Sequence, residues 1–224
     1  MYLVRICWLR MESLFQKTFG GLSIFGGVFT ILSYYLFPLS RSPSQVYALW
    51  LAIAAIGYGS IPFFSFLNHD HPIICKLTGF IDNYFYLTAI FTTAVIANCM
   101  KQIFLVGDEP SHQTYQTRES IKLAIQPKNY VFVWILPLFL NLLPLTTHHF
   151  GLVENGGMHL CWIKTDSDDI RRNQIGLIWM GVTMYIPLLI CFFFNASIYF
   201  SIRQKVKAWR VCLISLPLLL LMIL

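Results

Sequence analysis

From Ile175 to Ile202 the chain reads IGLIWMGVTMYIPLLICFFFNASIYFSI, 28 residues without one charged side chain. A helix needs roughly 20 apolar residues to cross a hydrocarbon core of about 30 Å. Wound as a helix, this stretch is about 42 Å long, enough to span a bilayer and then tilt or project beyond it. The segment reads as a transmembrane helix, and the rest of the chain repeats the pattern.

Four further apolar runs meet or approach spanning length: 20–37, 46–66, 75–104 with a charge-free centre from Tyr84 to Met100, and 130–147. A sixth begins at Val211 and runs to Leu224. In lipid only a helix, or a closed barrel, satisfies its own backbone hydrogen bonds. Strand-like alternation is absent from these runs. The expectation is an all-α membrane protein, a helical transmembrane bundle of five full spans plus a partial sixth. Residues 1–18 read as an amino-terminal segment, 19–210 as the bundle, and 211–224 as a sixth helix cut partway. The alternative for the last piece is a short final span, disfavoured because no interfacial anchors follow it. Arg5, Arg10 and Lys17 surround a mixed stretch with no signal-peptide cleavage pattern, and Met11 is an alternative start.

Composition agrees. Of the 224 residues, 57% are hydrophobic and 12% charged, against about 25% charged in a soluble domain. The formal charge of +6 does not imply nucleic acid, because the basic residues are scattered between apolar runs. Membrane lipid is their expected partner. With the amino terminus outside, nine Lys and Arg fall on inner loops and seven on outer segments, the sense of the positive-inside rule.

Cysteines sharpen the sidedness. Cys99, Cys191 and Cys212 sit within apolar runs. Cys75 opens the third span, and Cys161 lies in the loop between the fourth and fifth. An even number of crossings separates them, so both reach one face. A disulfide between them requires that face to be oxidising; two unpaired thiols are the alternative.

The order of motifs carries a resemblance. The third span opens Cys75-Lys76-Leu77-Thr78-Gly79-Phe80, with Tyr84-Phe85 following. The fourth holds Trp134-Ile135-Leu136-Pro137-Leu138 and Leu142-Leu143-Pro144-Leu145. Then come Cys161-Trp162-Ile163 and, in the fifth span, Tyr185-Ile186-Pro187-Leu188. From about Gly20 to Arg210 the chain resembles seven-helix, G-protein-coupled receptors of the cyclic-AMP-receptor-like and secretin-like branch, protist type. It departs from the rhodopsin-like branch below span three, where Cys99-Met100-Lys101-Gln102 replaces the acidic-Arg-Tyr triplet. It also lacks the large hormone-binding domain of animal secretin receptors.

The resemblance implies a signalling receptor at the plasma membrane, with an extracellular ligand and a heterotrimeric G protein as partners. It implies an outer pocket capped by the loop from His148 to Asn173, which the Cys75–Cys161 bridge would pin. Asp82 lies two turns below Cys75 on the same helical face, with Thr78 and Tyr86 on that stripe. An intramembrane acid faces a partner or a water-filled cavity, so Thr78, Asp82, Tyr86 and Trp162 are the pocket candidates. The plainer readings are a structural or hydrated carboxylate for Asp82 and an interfacial anchor for Trp162. At the other end, Arg203, Lys205, Lys207 and Arg210 are candidates for transducer contact, or for anchoring to acidic lipid.

Asn83, Asn98, Asn141 and Asn195 are expected to hydrogen-bond between helices. His69, His71, His148, His149 and His159 read as solvated loop residues rather than metal ligands. Pro187 and Pro217 are expected to kink their helices. No catalytic constellation, cofactor motif or metal set is evident. A transporter or channel fragment is the competing class, and it would predict internal repeats, none of which is visible; a non-signalling truncated membrane protein is the third reading.

Overall fold

A computed structural model describes residues 2–37, 43–64, 71–106, 127–155, 158–164 and 170–223. The helices are α1 (Tyr2–Leu36), α2 (Pro43–Phe64), α3 (Pro72–Val106), α4 (Pro127–Thr146) and α5 (170–223). Between α4 and α5 stands an antiparallel hairpin of β1 (Phe150–Asn155) and β2 (Met158–Ile163). Within these helices, Leu14–Leu36, Gln45–Phe63, Pro72–Gln102, Pro127–Thr146 and Asn173–Lys207 are long and apolar enough to cross a membrane. The protein is a multi-pass membrane bundle.

Two expected boundaries shift. Span one and the amino-terminal segment are a single helix from Tyr2. The piece from Val211 onward is not a separate helix here, since Ile186–Ile223 is continuous. Gln204, Lys205, Lys207, Ala208 and Arg210 are good helix formers with no glycine or proline among them, so nothing in the backbone turns the chain.

Helix α3 packs against α2, α4, α5 and both hairpin strands, whereas the main partner of α1 is α2. The core gathers around α3: Tyr47, Phe91, Ala94, Val95, Val133 and Cys191 are buried together, with Trp50 and Trp134 against them. The Trp50 ring meets Tyr47, Tyr130 and Trp134 edge-on at 5.3, 6.2 and 6.4 Å, the geometry aromatic quadrupoles prefer. Outward faces carry apolar side chains instead. Phe25, Phe29, Phe192 and Phe193 are all exposed, as lipid-facing positions must be.

Lipid offers no hydrophobic drive between helices, so association depends on close packing and polar contacts. The α1–α2 interface shows both. A Cβ on Gly20 would sit 2.5 Å from the Gly59 carbonyl oxygen, and one on Gly59 would sit 2.8 Å from that of Gly20. The Ser23 hydroxyl donates to Ala55 O at 3.0 Å.

Both α4 and α5 contain one widened π turn, Val131–Ile135 and Gly181–Tyr185. Each precedes a proline, Pro137 or Pro187. Proline has no N–H for the carbonyl four residues back and its ring crowds that carbonyl. The wide turn places Val133 and Thr183 where this conflict is relieved. The expected irregularity at Pro187 thus takes the form of a π turn.

Gly20→Val and Gly59→Val are expected to push α1 from α2, lowering stability by about 1–3 kcal/mol. Gly26→Val is the control, because a Cβ there meets nothing within 4 Å. Thermal unfolding in detergent checks the contrast; equal effects at all three positions would contradict the packing described.

Candidate functional site

The outer end of α3 is fixed by a covalent bond. Cys75 is disulfide-bonded to Cys161 across 86 residues, with Cα atoms 5.1 Å apart. The loop expected to cap the bundle is therefore a hairpin fastened to α3. Its register pairs Phe150 with Ile163, Gly151 with Trp162 and Leu152 with Cys161. Directly opposed residues share a face, so Phe150, Ile163 and Cys161 lie together on the face that meets α3. Phe150 and Ile163 are each only 1% exposed, and Phe150 meets Phe80 edge-on at 6.3 Å.

Close seating requires Gly79. A Cβ there would lie 2.9 Å from Cys161 O and 3.2 Å from the Phe150 ring. At the α4 end, His148 turns the chain with φ 57°. His149 N–H then donates to Pro144 O at 3.0 Å, and His149 O accepts from Lys164 N–H at 2.6 Å. His149 is buried, with Nδ1 2.9 Å from Thr147 Oγ1, a correction to the solvated histidine expected from sequence. The hairpin closes over it where an open loop would have left it wet. His148 and His71 are exposed as expected, while His69 and the His159 side chain lie outside the described residues. Among the described residues no three metal-binding side chains cluster.

The pocket candidates separate. Thr78 is buried, and its hydroxyl donates to Ile74 O at 2.9 Å within its own helix. Trp162 is half-buried on the hairpin face opposite Cys161. Asp82 and Tyr86, one turn apart on α3, belong to a common group. The Asp82 carboxyl is in electrostatic reach of the Tyr58 phenol on α2. The Tyr58 and Tyr86 rings stand 6.2 Å apart, and Tyr86 is in reach of Tyr185 at the end of the α5 wide turn. Tyr58 thus neighbours Asp82 and Tyr86, and Tyr86 neighbours Tyr185, which links the three spans side by side. Asp82 makes no hydrogen bond or ion pair among the described residues. Tyr58 and Tyr185 were missed by sequence reasoning, because no periodicity relates positions on different helices.

Level with this group the bundle is tied by amides. Asn83 Nδ2 donates to Asn141 Oδ1 at 2.5 Å, and Asn141 Nδ2 donates to Pro137 O at 2.9 Å. Both residues are fully buried, so two of the expected asparagines do join helices. Asn195 Nδ2 reaches Thr93 Oγ1 at 3.5 Å, between α5 and α3. At the opposite end of the molecule, Tyr47, buried on α2, accepts from Asn129 Nδ2 of α4 at 2.9 Å. Arg203 and Lys207 are exposed on α5 and Lys205 is half-buried. The Arg210 side chain lies outside the described residues.

No family model matches the chain. It is 24% identical over 206 residues to the "Cyclic AMP receptor-like protein A" of Dictyostelium discoideum, covering 90% of this chain and 46% of that protein. The chain thus spans about half the length of the curated relative it matches. It also superposes on squid rhodopsin with a TM-score of 0.65 and 19% identity, over 91% of this chain and 58% of that one. That likeness is one of fold: the five spans and the pinned hairpin occupy a rhodopsin-type helical bundle.

Cys75→Ser and Cys161→Ser are each expected to cost about 2–4 kcal/mol, and the double variant no more than either alone. Gly79→Leu should weaken the hairpin seat by about 1–3 kcal/mol with the bridge intact. Thermal unfolding with and without reductant checks both; additive losses from the two cysteines would show that the bridge does not form.

Proposed function

We propose that the chain is the transmembrane part of a G-protein-coupled-type receptor, sensing an extracellular ligand and passing a conformational signal to an intracellular transducer. What carries the reading is a rhodopsin-type bundle whose third span is bonded to a hairpin over one end. It is supported by the sequence likeness to a cyclic-AMP-receptor-like protein. A bonded pair of cysteines belongs on an oxidising face, which assigns the hairpin end to the outside and the Arg203, Lys205 and Lys207 end to the cytoplasm. The plasma membrane is the corresponding location.

The ligand end is the group of Asp82, Tyr86, Tyr58 and Tyr185, with Trp162 at the rim and Thr78 as its helical support. The transducer end is the basic stretch of α5 with Arg203, Lys205, Lys207 and Arg210. Binding at the outer group moves α3 against α5 only if the ligand holds one arrangement more tightly than another. The proline-linked wide turn in α5 carries Tyr185 of the ligand end and gives that helix a place to bend.

The test needs no known ligand. The full chain in lipid nanodiscs should accelerate basal GDP release from a heterotrimeric G protein several-fold over empty discs. Charge reversal at Arg203→Glu with Lys207→Glu should reduce that acceleration about tenfold, with unfolding temperature unchanged. Full acceleration by the charge-reversed variant, or none by the native chain across representative heterotrimers, would sink the reading.

A further inference from the structure

We infer that the seating of the hairpin on α3 responds to acid outside the membrane, through protonation of the buried His149 imidazole at Nε2. This rests on the receptor reading only in treating the hairpin end as the outer end.

Hydrogen bonding fixes which ring nitrogen carries the proton. The Thr147 hydroxyl has a single hydrogen, and the carbonyl oxygens of Leu143 and Pro144 each stand 3.2 Å from its oxygen. Carbonyls only accept, so that hydrogen is committed to them. Thr147 Oγ1 then accepts from His149 Nδ1, 2.9 Å away. In a neutral imidazole the other nitrogen is a bare acceptor. That atom, Nε2, is buried with no hydrogen-bond partner among the described residues, in a residue only 6% exposed. A proton arriving there would make an imidazolium whose second N–H has nowhere to point, and burying such a charge is costly.

The ring cannot reach water alone. His149 N–H is tied to Pro144 O and His149 O to Lys164 N–H, so its backbone is held on both sides. Phe150 and Ile163 beside it are buried against α3. Freeing Nε2 therefore means lifting the base of the hairpin, and the Cys75–Cys161 bridge keeps the lifted hairpin attached. The spanning part of α4 ends at Thr146, so the site lies at the aqueous rim.

No described charge offsets that cost. Residues 131–147 of α4 and its end hold no titratable group. The elements around the site carry Lys76 and Asp82 on α3, Lys164 after β2 and Arg171 on α5, with exposed His148 just before it. Asp82 is in reach of Tyr58 on α2, whereas Asn83 is the residue that turns to α4. The phenols point elsewhere, Tyr84 to Trp134 O and Tyr86 to Tyr58 and Tyr185. The side chains of Glu154, His159 and Arg172, and residues Asp166, Asp168 and Asp169, lie outside the described residues. The proton thus binds the lifted state in preference to the seated one. The seat is at full strength above the ordinary value of an exposed imidazole, about 6.5, and weakens as pH falls below it.

Amide hydrogen exchange over Phe150–Asn155 and Met158–Ile163, on the full chain in nanodiscs with the bridge intact, tests this. Protection is taken relative to the same peptides unfolded at each pH, which removes the pH dependence of exchange itself. Between about pH 7.5 and 5.5 the native hairpin should lose about tenfold in protection. His149→Gln and His149→Asn should show no such loss. His148→Asn, suited to the left-handed backbone at that position, should keep it in full. Ring-nitrogen NMR of the native chain, which needs no variant, should find His149 protonated at Nδ1 and bare at Nε2 at the higher pH. A flat native response, an equal loss in the His149 variants or the opposite tautomer overturns the inference. So does tightening in acid, which would mean a carboxylate partner for the imidazolium. None of these readings needs a transducer. A proton-sensitive seat without accelerated GDP release spares this inference and sinks the receptor reading, and accelerated release with an indifferent seat does the opposite.

Discussion

The outer architecture depends on one covalent tie, from Cys75 at the mouth of α3 to Cys161 in the second strand of the hairpin. Without it, Phe150–Asn155 and Met158–Ile163 would be part of a surface loop, costly in entropy to hold over the bundle. The chain-entropy argument assigns about 4–5 kcal/mol to closing a loop of this length in a soluble chain. In a membrane the helices are already threaded, so the gain is smaller. The bond's larger effect is positional. It sets which hairpin face meets α3, and Gly79, Phe80 and Phe150 then fill the contact without a gap.

Below the tie, packing replaces covalency. Helix α3 serves as the shared wall for α2, α4 and α5, and its buried polar groups are largely self-sufficient. Thr88 and Thr92 return their hydroxyls to carbonyls one turn back, at 2.8 and 2.7 Å. Asn83 and Asn141 find each other instead. Hydrogen bonds of this type between membrane helices contribute about 0.6–2 kcal/mol each. They matter as much for register, because a buried amide has few places to go. Against this background Asn83 Oδ1 and Asn195 Oδ1 stand out as buried polar atoms with no hydrogen-bond partner among the described residues.

The spans were legible because hydrocarbon permits so few structures. Charge-free length alone places five helices to within a few residues at most ends. The Cys75–Cys161 pair was legible from the parity of crossings. The hairpin was not: Gly151, Gly156, Gly157 and two histidines look like loop chemistry, and its strands form because α3 and the bridge supply a surface for Phe150 and Ile163. Burial of His149 followed from that same tertiary contact. The approach of Tyr58 and Tyr185 to Tyr86 was equally hidden, because it joins three helices whose relative rotation no single-chain pattern encodes. At the amino terminus, residues 1–18 carry enough charge to suggest a separate segment, yet α1 continues through them.

The two wide turns have a consequence for how such a bundle can change over generations. Each inserts one residue beyond the regular helical count, and one residue is worth about 100° of rotation in an α-helix. A deletion inside Gly181–Tyr185 would therefore swing every side chain on the outer half of α5 to a new heading while the inner half kept its own. Specificity at one end could be redrawn by a single-codon loss, with the cytoplasmic surface left untouched.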